Sequence, residues 1–331
     1  MQTSIVIPNY NGLSWLSSCL SSIFSQNSTA YEVIMVDNGS TDDSILFVRN
    51  NYPEIILIEF SKNFGFAKAV NEGIDRSTGE FILLLNNDTI LQPGFLENIT
   101  KCLREAPAKI GAVNPKMLQL DQPHLLDDMG DSLSWYGEAR KIGHNSPAQE
   151  FNEKKEIFSP SGGASLFRKS FLKHCGVFDE RFFAYLEDVD LGLRGRLLGY
   201  SYLFCPSATV MHKGHGTSMP YSKYIRLTTC NRLLIWTKNI PFDLWRKHFL
   251  KFIYGQLYFF LAHGKPMSTI KGYLRFCQKF PHALKMRSEI KKTIHITKEE
   301  IEHSLNFDKP CPSLKILFVQ YFKAIRKKFF S

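Results

Sequence analysis

The sequence predicts an α/β protein, a mostly parallel sheet flanked by helices, with a basic helical C-terminal extension. Short apolar runs alternate with helical patterns over residues 1–90, as strands joined by crossover helices do. Polar clusters follow the first, second and fourth of these runs, where α/β sheets gather their ligands. The charge is divided: residues from 216 onward hold 22 Lys+Arg against 6 Asp+Glu, and the preceding residues hold 19 against 25. At 331 residues the chain is long for one domain, and 44% apolar with 22% charged residues is an ordinary globular composition.

The elements follow in order. "SIVIP" reads as a buried strand, after which Leu13, Leu16, Leu20 and Ile23 recur at helical spacing. "EVIMVD" is a second strand with a short helix over 44–50, "EIILIEF" a third with a helix over 67–74, and "EFILLL" a fourth. The clusters "PNYNG", "DNGSTDD" and "NND" then share one sheet edge, although "NG" and "GSTD" are also turn chemistry and Asp42 or Asp43 could cap a helix. Residues 100–160 look irregular and polar; Trp135 and Tyr136 there can stack on a sugar or pack a loop. "IFSPSGGASLF" passes a strand through a small-residue turn, and Val189, Leu193 and Leu197 mark a helix whose first turn holds Glu187, Asp188 and Asp190. Asp190, four residues before Arg194, suits an ion pair. The last strands end in His212 and His215.

Seven scattered cysteines without CxxC spacing suit free thiols in a reducing compartment. The N-terminus shows no basic leader, and "FIYGQLYFFLAHG" is too short to span a bilayer, so cytoplasmic residence is expected. The basic tail suggests an anionic neighbour, either a nucleic acid or a membrane surface. Leu314, Leu317, Phe318, Tyr321, Phe322, Ile325 and Phe329 share one helical face flanked by basic residues, which suits a helix resting in a membrane interface or one packed on the catalytic domain. No GxGxxG follows the first strand and no P-loop is present.

Taken together, "SIVIPNYNG", "VDNGSTDDS", "NFGFAKAVNEGI", "LLLNNDT", "SGGASLFRKSF", "GVFDERFFAYLEDVDLGLRGRLLGY" and "VMHKGHGTS" resemble the inverting glycosyltransferases of family 2, with the GT-A fold. "DDMGDSL" and "FDERFFAYLEDVDL" look most like the rhamnosyltransferase-like branch. The resemblance covers roughly residues 3–218 and implies a catalytic domain over residues 1–230; residues 231–331 lie outside it and read from their own composition as a basic, aromatic-rich helical region with membrane association among its candidate roles. It implies a nucleotide-sugar site of Pro8, Asn9, Tyr10, Asp37, Asn38, Asn63, Lys68, Asn86 and Asn87. Asp88 and His212 would hold a divalent metal, Mg or Mn; Asp188 would be the general base; Ser161, Gly162, Gly163 and Glu187 would meet the sugars. A helix first turn should keep Asp188 ionised at neutral pH.

The implied reaction moves a sugar, rhamnose or another deoxyhexose among the candidates, from a dTDP- or UDP-sugar to a saccharide acceptor, expected to be lipid-linked, in cell-surface polysaccharide biosynthesis. The enzyme would be peripheral on the inner face of the cell membrane and bind no nucleic acid. Asn86 departs from the family, which commonly has a carboxylate there; an amide can hold a ribose hydroxyl but brings no charge to a metal. The rival readings are a nucleotidyltransferase, which should carry a glycine-rich basic loop that "PNYNGLSW" is not, and a non-catalytic protein binding nucleic acid through its tail.

Overall fold

The structure, a computed structural model, describes residues 2–27, 30–214 and 219–305, with 313, 315, 316 and 319. His215 and most of the apolar face over 314–329 lie outside the described residues. The chain forms two compact units. One comprises residues up to 131 with 141–214, and the other comprises 132–140 with the residues from 219 onward.

In the first unit the elements alternate as β1 (Thr3–Asn9), α1 (Leu13–Phe24), β2 (Tyr31–Asp37), α2 (Ser44–Asn51), β3 (Ile56–Glu59), α3 (Phe66–Arg76) and β4 (Phe81–Leu85). There follow β5 (Thr89–Leu91), α4 (Phe95–Arg104), β6 (Ile110–Gln119) and β7 (Leu126–Asp128), and then a separate two-stranded ribbon of β8 (Asp131–Leu133) and β9 (Ala139–Lys141), whose residues 132–140 are counted with the second unit. Then come β10 (Lys155–Ile157), β11 (Ala164–Arg168), α5 (Lys169–Cys175), α6 (Glu187–Leu197) and β12 (Ser201–His212). The main sheet runs β10-β12-β6-β11-β4-β1-β2-β3, with β5 on β12 and β7 on β6. β1, β2, β3 and β4 are mutually parallel, whereas β11 is antiparallel to both β4 and β6.

Both faces of the sheet are covered, which is why its strands read as unbroken apolar runs. Ile5 and Ile7 of β1 pack with Leu16 and Leu20 on one face; Val6 points to the other, against Ala67, Val70 and Phe171. Each fully buried Leu, Ile or Phe contributes ~1.5–3 kcal/mol relative to exposure. Residues 100–160 are more ordered than their sequence suggests, because β6 is a ten-residue strand at the centre of the sheet. Pro115 hid it: proline has no N–H for the ladder, and β6 accommodates it beside a register break in β12 between Cys205 and Thr209.

The second unit contains α7 (Tyr221–Asn239), α8 (Phe242–Ala262), α9 (Pro266–Lys291) and α10 (Lys298–Ser304). Trp135, on the turn between β8 and β9, stacks at 3.8 Å on His248 and meets Trp236 edge-on at 5.8 Å. Tyr136 stacks on Phe259, so both aromatics, 5% and 6% exposed, are core packing and not a sugar platform.

Candidate active site

The strand order reverses between β1 and β4, and the polar residues at their carboxyl ends knit that point together. Asn9, last in β1, donates from Nδ2 to Asp37 Oδ1 at 2.8 Å and accepts from Asn87 Nδ2 at 2.6 Å. Ser40 donates to Asp37 through both its amide and its hydroxyl, at 2.9 and 2.6 Å, so this buried carboxylate is fixed in orientation. Asn38 takes the amide of Phe64 on its Oδ1 and donates to Asn63 and the Gly65 carbonyl, which ties down the loop before α3. Asp42 accepts from the amides of Leu13 and Ser44, the first residues of α1 and α2, and so ties the two helix starts together. Pro8 and Tyr10 flank Asn9 and are partly exposed, as is Asn86.

A second group forms where β12 ends. The β12–β5 register sets His212 opposite Thr89, next to Asp88. His212 Nδ1 bonds Asp127 Oδ2 at 2.8 Å, which turns Nε2 toward Asp88 Oδ1 at 3.3 Å. Lys141 donates to the same Asp127 oxygen at 2.7 Å. Burial opposes charge on both partners, but the pairing prevails: bonds to Asp127 and Asp88 lift His212 to about 9, and those from His212 and Lys141 hold Asp127 at about 2. No group of three His, Cys, Asp or Glu side chains among the described residues is arranged around an ion. Asp88 and His212 still fit a divalent metal of the kind that takes one or two protein ligands and completes its shell from substrate phosphates. Asp127 behind the imidazole is the partner that orients a ligating histidine.

The third group surrounds the first turn of α6. Asp188 Oδ2 accepts from the Gly162 amide and Oδ1 from the Val189 amide, both at 2.8 Å. A Cβ on Gly162 would lie 3.0 Å from Asp188 Oδ2, and one on Gly163 would lie 2.9 Å from the Met117 methyl. Ser161 is held from below, its amide donating to Asn114 Oδ1 at 2.8 Å. The chain enters α6 through Phe183, Tyr185 and Leu186 at φ of 68°, 69° and 69°. Left-handed non-glycine residues cost about 1–3 kcal/mol each and persist where surrounding structure dictates them.

Burial raises Asp188 above the ordinary carboxylate range, an effect that its backbone donors at the helix start oppose without cancelling. Asp131 and Glu187 are pushed up further, by burial first and by the charge of Asp188 second. Asp128 is raised by burial as well, and Glu187 Oε2 is buried with no hydrogen-bond partner among the described residues.

Most residues singled out by the sequence thus converge on one sheet edge. Lys68 does not join these groups: it pairs with Glu72 at 3.4 Å and Glu180 at 3.6 Å in a separate surface cavity. Asp190 makes the buried ion pair with Arg194, at 2.9 Å. Sequence reasoning missed Asp127, Asp128 and Asp131. Three carboxylates spaced among Leu126, Met129 and Leu133 were the available signal, since acids in an apolar segment are buried for a reason.

A model of the family described as Glycosyl transferase family 2 matches residues 4–176. The N-acetylglucosaminyl-diphospho-decaprenol L-rhamnosyltransferase of Mycobacterium tuberculosis is 28% identical over 236 residues, covering 64% of this chain and 76% of that protein. Among solved structures, GalNAc-T7 with UDP, GalNAc and Mn2+ superimposes with a TM-score of 0.61 at 15% identity, over 88% of this chain and 55% of that one. The mannosyltransferase PcManGT from Pyrobaculum calidifontis, with GDP-Man and Mn2+, gives 0.52 at 16% identity, over 99% and 87%. With more than half its length matched by the family model and a GT-A fold, the chain belongs to glycosyl transferase family 2.

Proposed function

We propose that the protein is a metal-dependent, inverting glycosyltransferase that moves a sugar from a nucleoside diphosphate to a saccharide acceptor. The observation that carries this is that a buried carboxylate–imidazole pair, Asp88 and His212, and a separate carboxylate, Asp188, bonded to the Gly162 amide, lie along one sheet edge. Asp37, with Asn9, Tyr10 and Asn87, would bind the nucleoside, and Asn86 would hold the ribose side. Asp88 and His212 would hold Mg2+ or Mn2+, which when bound neutralises charge gathering on the leaving diphosphate. Asp188 accepts the proton of an acceptor hydroxyl as that oxygen bonds to the anomeric carbon. The bond to the diphosphate breaks on the opposite face, and the configuration inverts. A raised Asp188 is a better base than an ordinary carboxylate, and such catalysis contributes ~100- to 10,000-fold.

The donor we favour is a dTDP- or UDP-activated deoxyhexose such as rhamnose, and the acceptor a lipid-linked saccharide of cell-surface polysaccharide synthesis. The printed name of the mycobacterial relative, a rhamnosyltransferase acting on a diphospho-decaprenol acceptor, supports that choice. The test is transfer from a panel of dTDP-, UDP- and GDP-sugars to a synthetic lipid-diphosphate saccharide, with Mn2+ or with chelator, the product's anomeric configuration being read by NMR. Asp188→Asn should lower kcat by at least about 100-fold with nucleotide affinity nearly unchanged. A product of retained configuration would overturn the mechanism.

A further inference from the structure

We propose that Asp131 is the positioning residue of Asp188: a buried carboxyl that holds the pair's single proton and donates it, as a hydrogen bond, to the Asp188 carboxylate. This rests on Asp188 being the base.

The backbone brings the two together. Asp131 and Ser159 exchange amide–carbonyl bonds in both directions, at 2.9 and 3.2 Å, and Ser159 Oγ donates to the Asp188 carbonyl at 3.1 Å. That bridge leaves the two carboxyl groups bonded to each other, and Asp131 is 9% exposed. Two carboxylates in contact in a buried site cannot both ionise cheaply, so the pair keeps one proton. The donors decide where it resides. Asp188 takes the amides of Gly162 and Val189 at the start of an 11-residue helix, which favours its charged form. The proton therefore stays on Asp131. The other titratable groups facing the pair are Asp128 and Lys141 on the Asp131 side and Glu187 beside Asp188.

The bond does two things. It fixes the Asp188 carboxylate while the acceptor hydroxyl approaches, and it removes the repulsion a second negative charge would bring. Asp131 touches no reacting atom; when Asp188 takes the acceptor's proton, Asp131 keeps its own.

Asp131→Asn retains a donor that cannot ionise, and Asp131→Ala retains none. With the full chain, nucleotide sugar and a soluble acceptor, Asp131→Ala should lower kcat by about 100-fold, the usual cost of a misplaced catalytic group, with donor KM unchanged. Asp131→Asn should keep kcat within several-fold of wild type and lose the alkaline limb of the kcat profile caused by ionisation of the pair. Difference infrared spectra at neutral pH should show a protonated carboxyl in wild type that Asp131→Asn removes. A wild-type kcat and pH profile in Asp131→Ala, or a protonated-carboxyl signal of undiminished size in Asp131→Asn, would overturn the proposal. If Asp131→Ala does not fold, the infrared and pH comparison of Asp131→Asn decides alone. Activity retained in Asp188→Asn would instead overturn the base assignment, and this proposal with it.

Discussion

Asn86 and Asp88 stand two residues apart on the same turn and differ in what they offer a ligand. Asp88 is buried beside His212 and brings charge, while Asn86 is partly exposed and brings a neutral amide. Asp88→Asn should therefore abolish metal-dependent turnover and Asn86→Ala should reduce it only several-fold; titrating Mn2+ against each variant separates them, and near-normal activity of Asp88→Asn at every metal concentration would refute the site. Glu187 makes a prediction about stability. Its Oε2 is buried without a hydrogen-bond partner among the described residues, and its carboxyl is raised well above the ordinary range by burial. A carboxyl with a raised folded-state pKa favours the native state only where the unfolded chain is also protonated, and that contribution is lost as pH rises toward the folded value. Glu187→Gln should thus stabilise the protein at neutral pH, by on the order of 1 kcal/mol, with the gain fading as the pH falls toward 4. Urea melts across that range would show it, and a gain independent of pH would mean that ionisation is not its source. Residues such as Asn9, Asp37, Asn87, Asp88 and His212 were legible in the sequence because each ends or follows an apolar run. Asp127 and Asp131 were not, because their partners lie 85 residues on, at His212, and in the bridge to Ser159, contacts that no local pattern encodes.

Helix α6 shows how an element aims a side chain. Its glycines lie where other residues would collide: a Cβ on Gly192 would fall 2.0 Å from Ser159 Oγ, and one on Gly195 would fall 2.0 Å from the Tyr202 hydroxyl. Tyr202 in turn donates to the Gly192 carbonyl at 2.8 Å. Arg194, between them, donates to Asp190 and to the carbonyls of Cys175 and Val177, which anchors the helix from its other side. Gly195→Ala should lift α6 from β12 and cost about 1–3 kcal/mol, as overpacking of a tight core does. Its unfolding midpoint should fall, and kcat should fall with it as Asp188 leaves Gly162; an unchanged midpoint would show that the contact relaxes freely. The parallel strands β1 to β4 and their helices were readable because burial on both faces leaves continuous apolar runs. β6 was not, since Pro115 interrupts the run and the strand is completed only by pairing with β11 and β12, far along the chain.

At the scale of the whole molecule, the charge division acquires a structural setting. Among the described residues no helix is long and apolar enough to cross a membrane. The second unit nonetheless exposes large apolar side chains: Leu250, Ile253 and Leu257 on α8, and Met267, Ile270, Leu274 and Leu284 on α9. The spacing of three and four residues makes a stripe of Leu250, Ile253 and Leu257 on α8 and of Met267, Ile270 and Leu274 on α9, which also carries Lys271, Arg275 and Lys285. Exposed apolar groups in such number suit a contact surface, and with 22 Lys+Arg against 6 Asp+Glu from residue 216 onward we propose an anionic lipid surface as the partner. Each basic residue near such a bilayer contributes ~1 kcal/mol, an attraction that decays within a Debye length. The protein should float with vesicles containing acidic phospholipid, stay behind with neutral ones, and be released by high salt. The double variant Leu250→Glu, Leu274→Glu should lose flotation while transferring sugar to a short water-soluble acceptor at the wild-type rate. Equal recovery with both kinds of vesicle, or with neither, would mean that the stripes cover another protein surface, and the basic residues would then serve that contact or solubility alone.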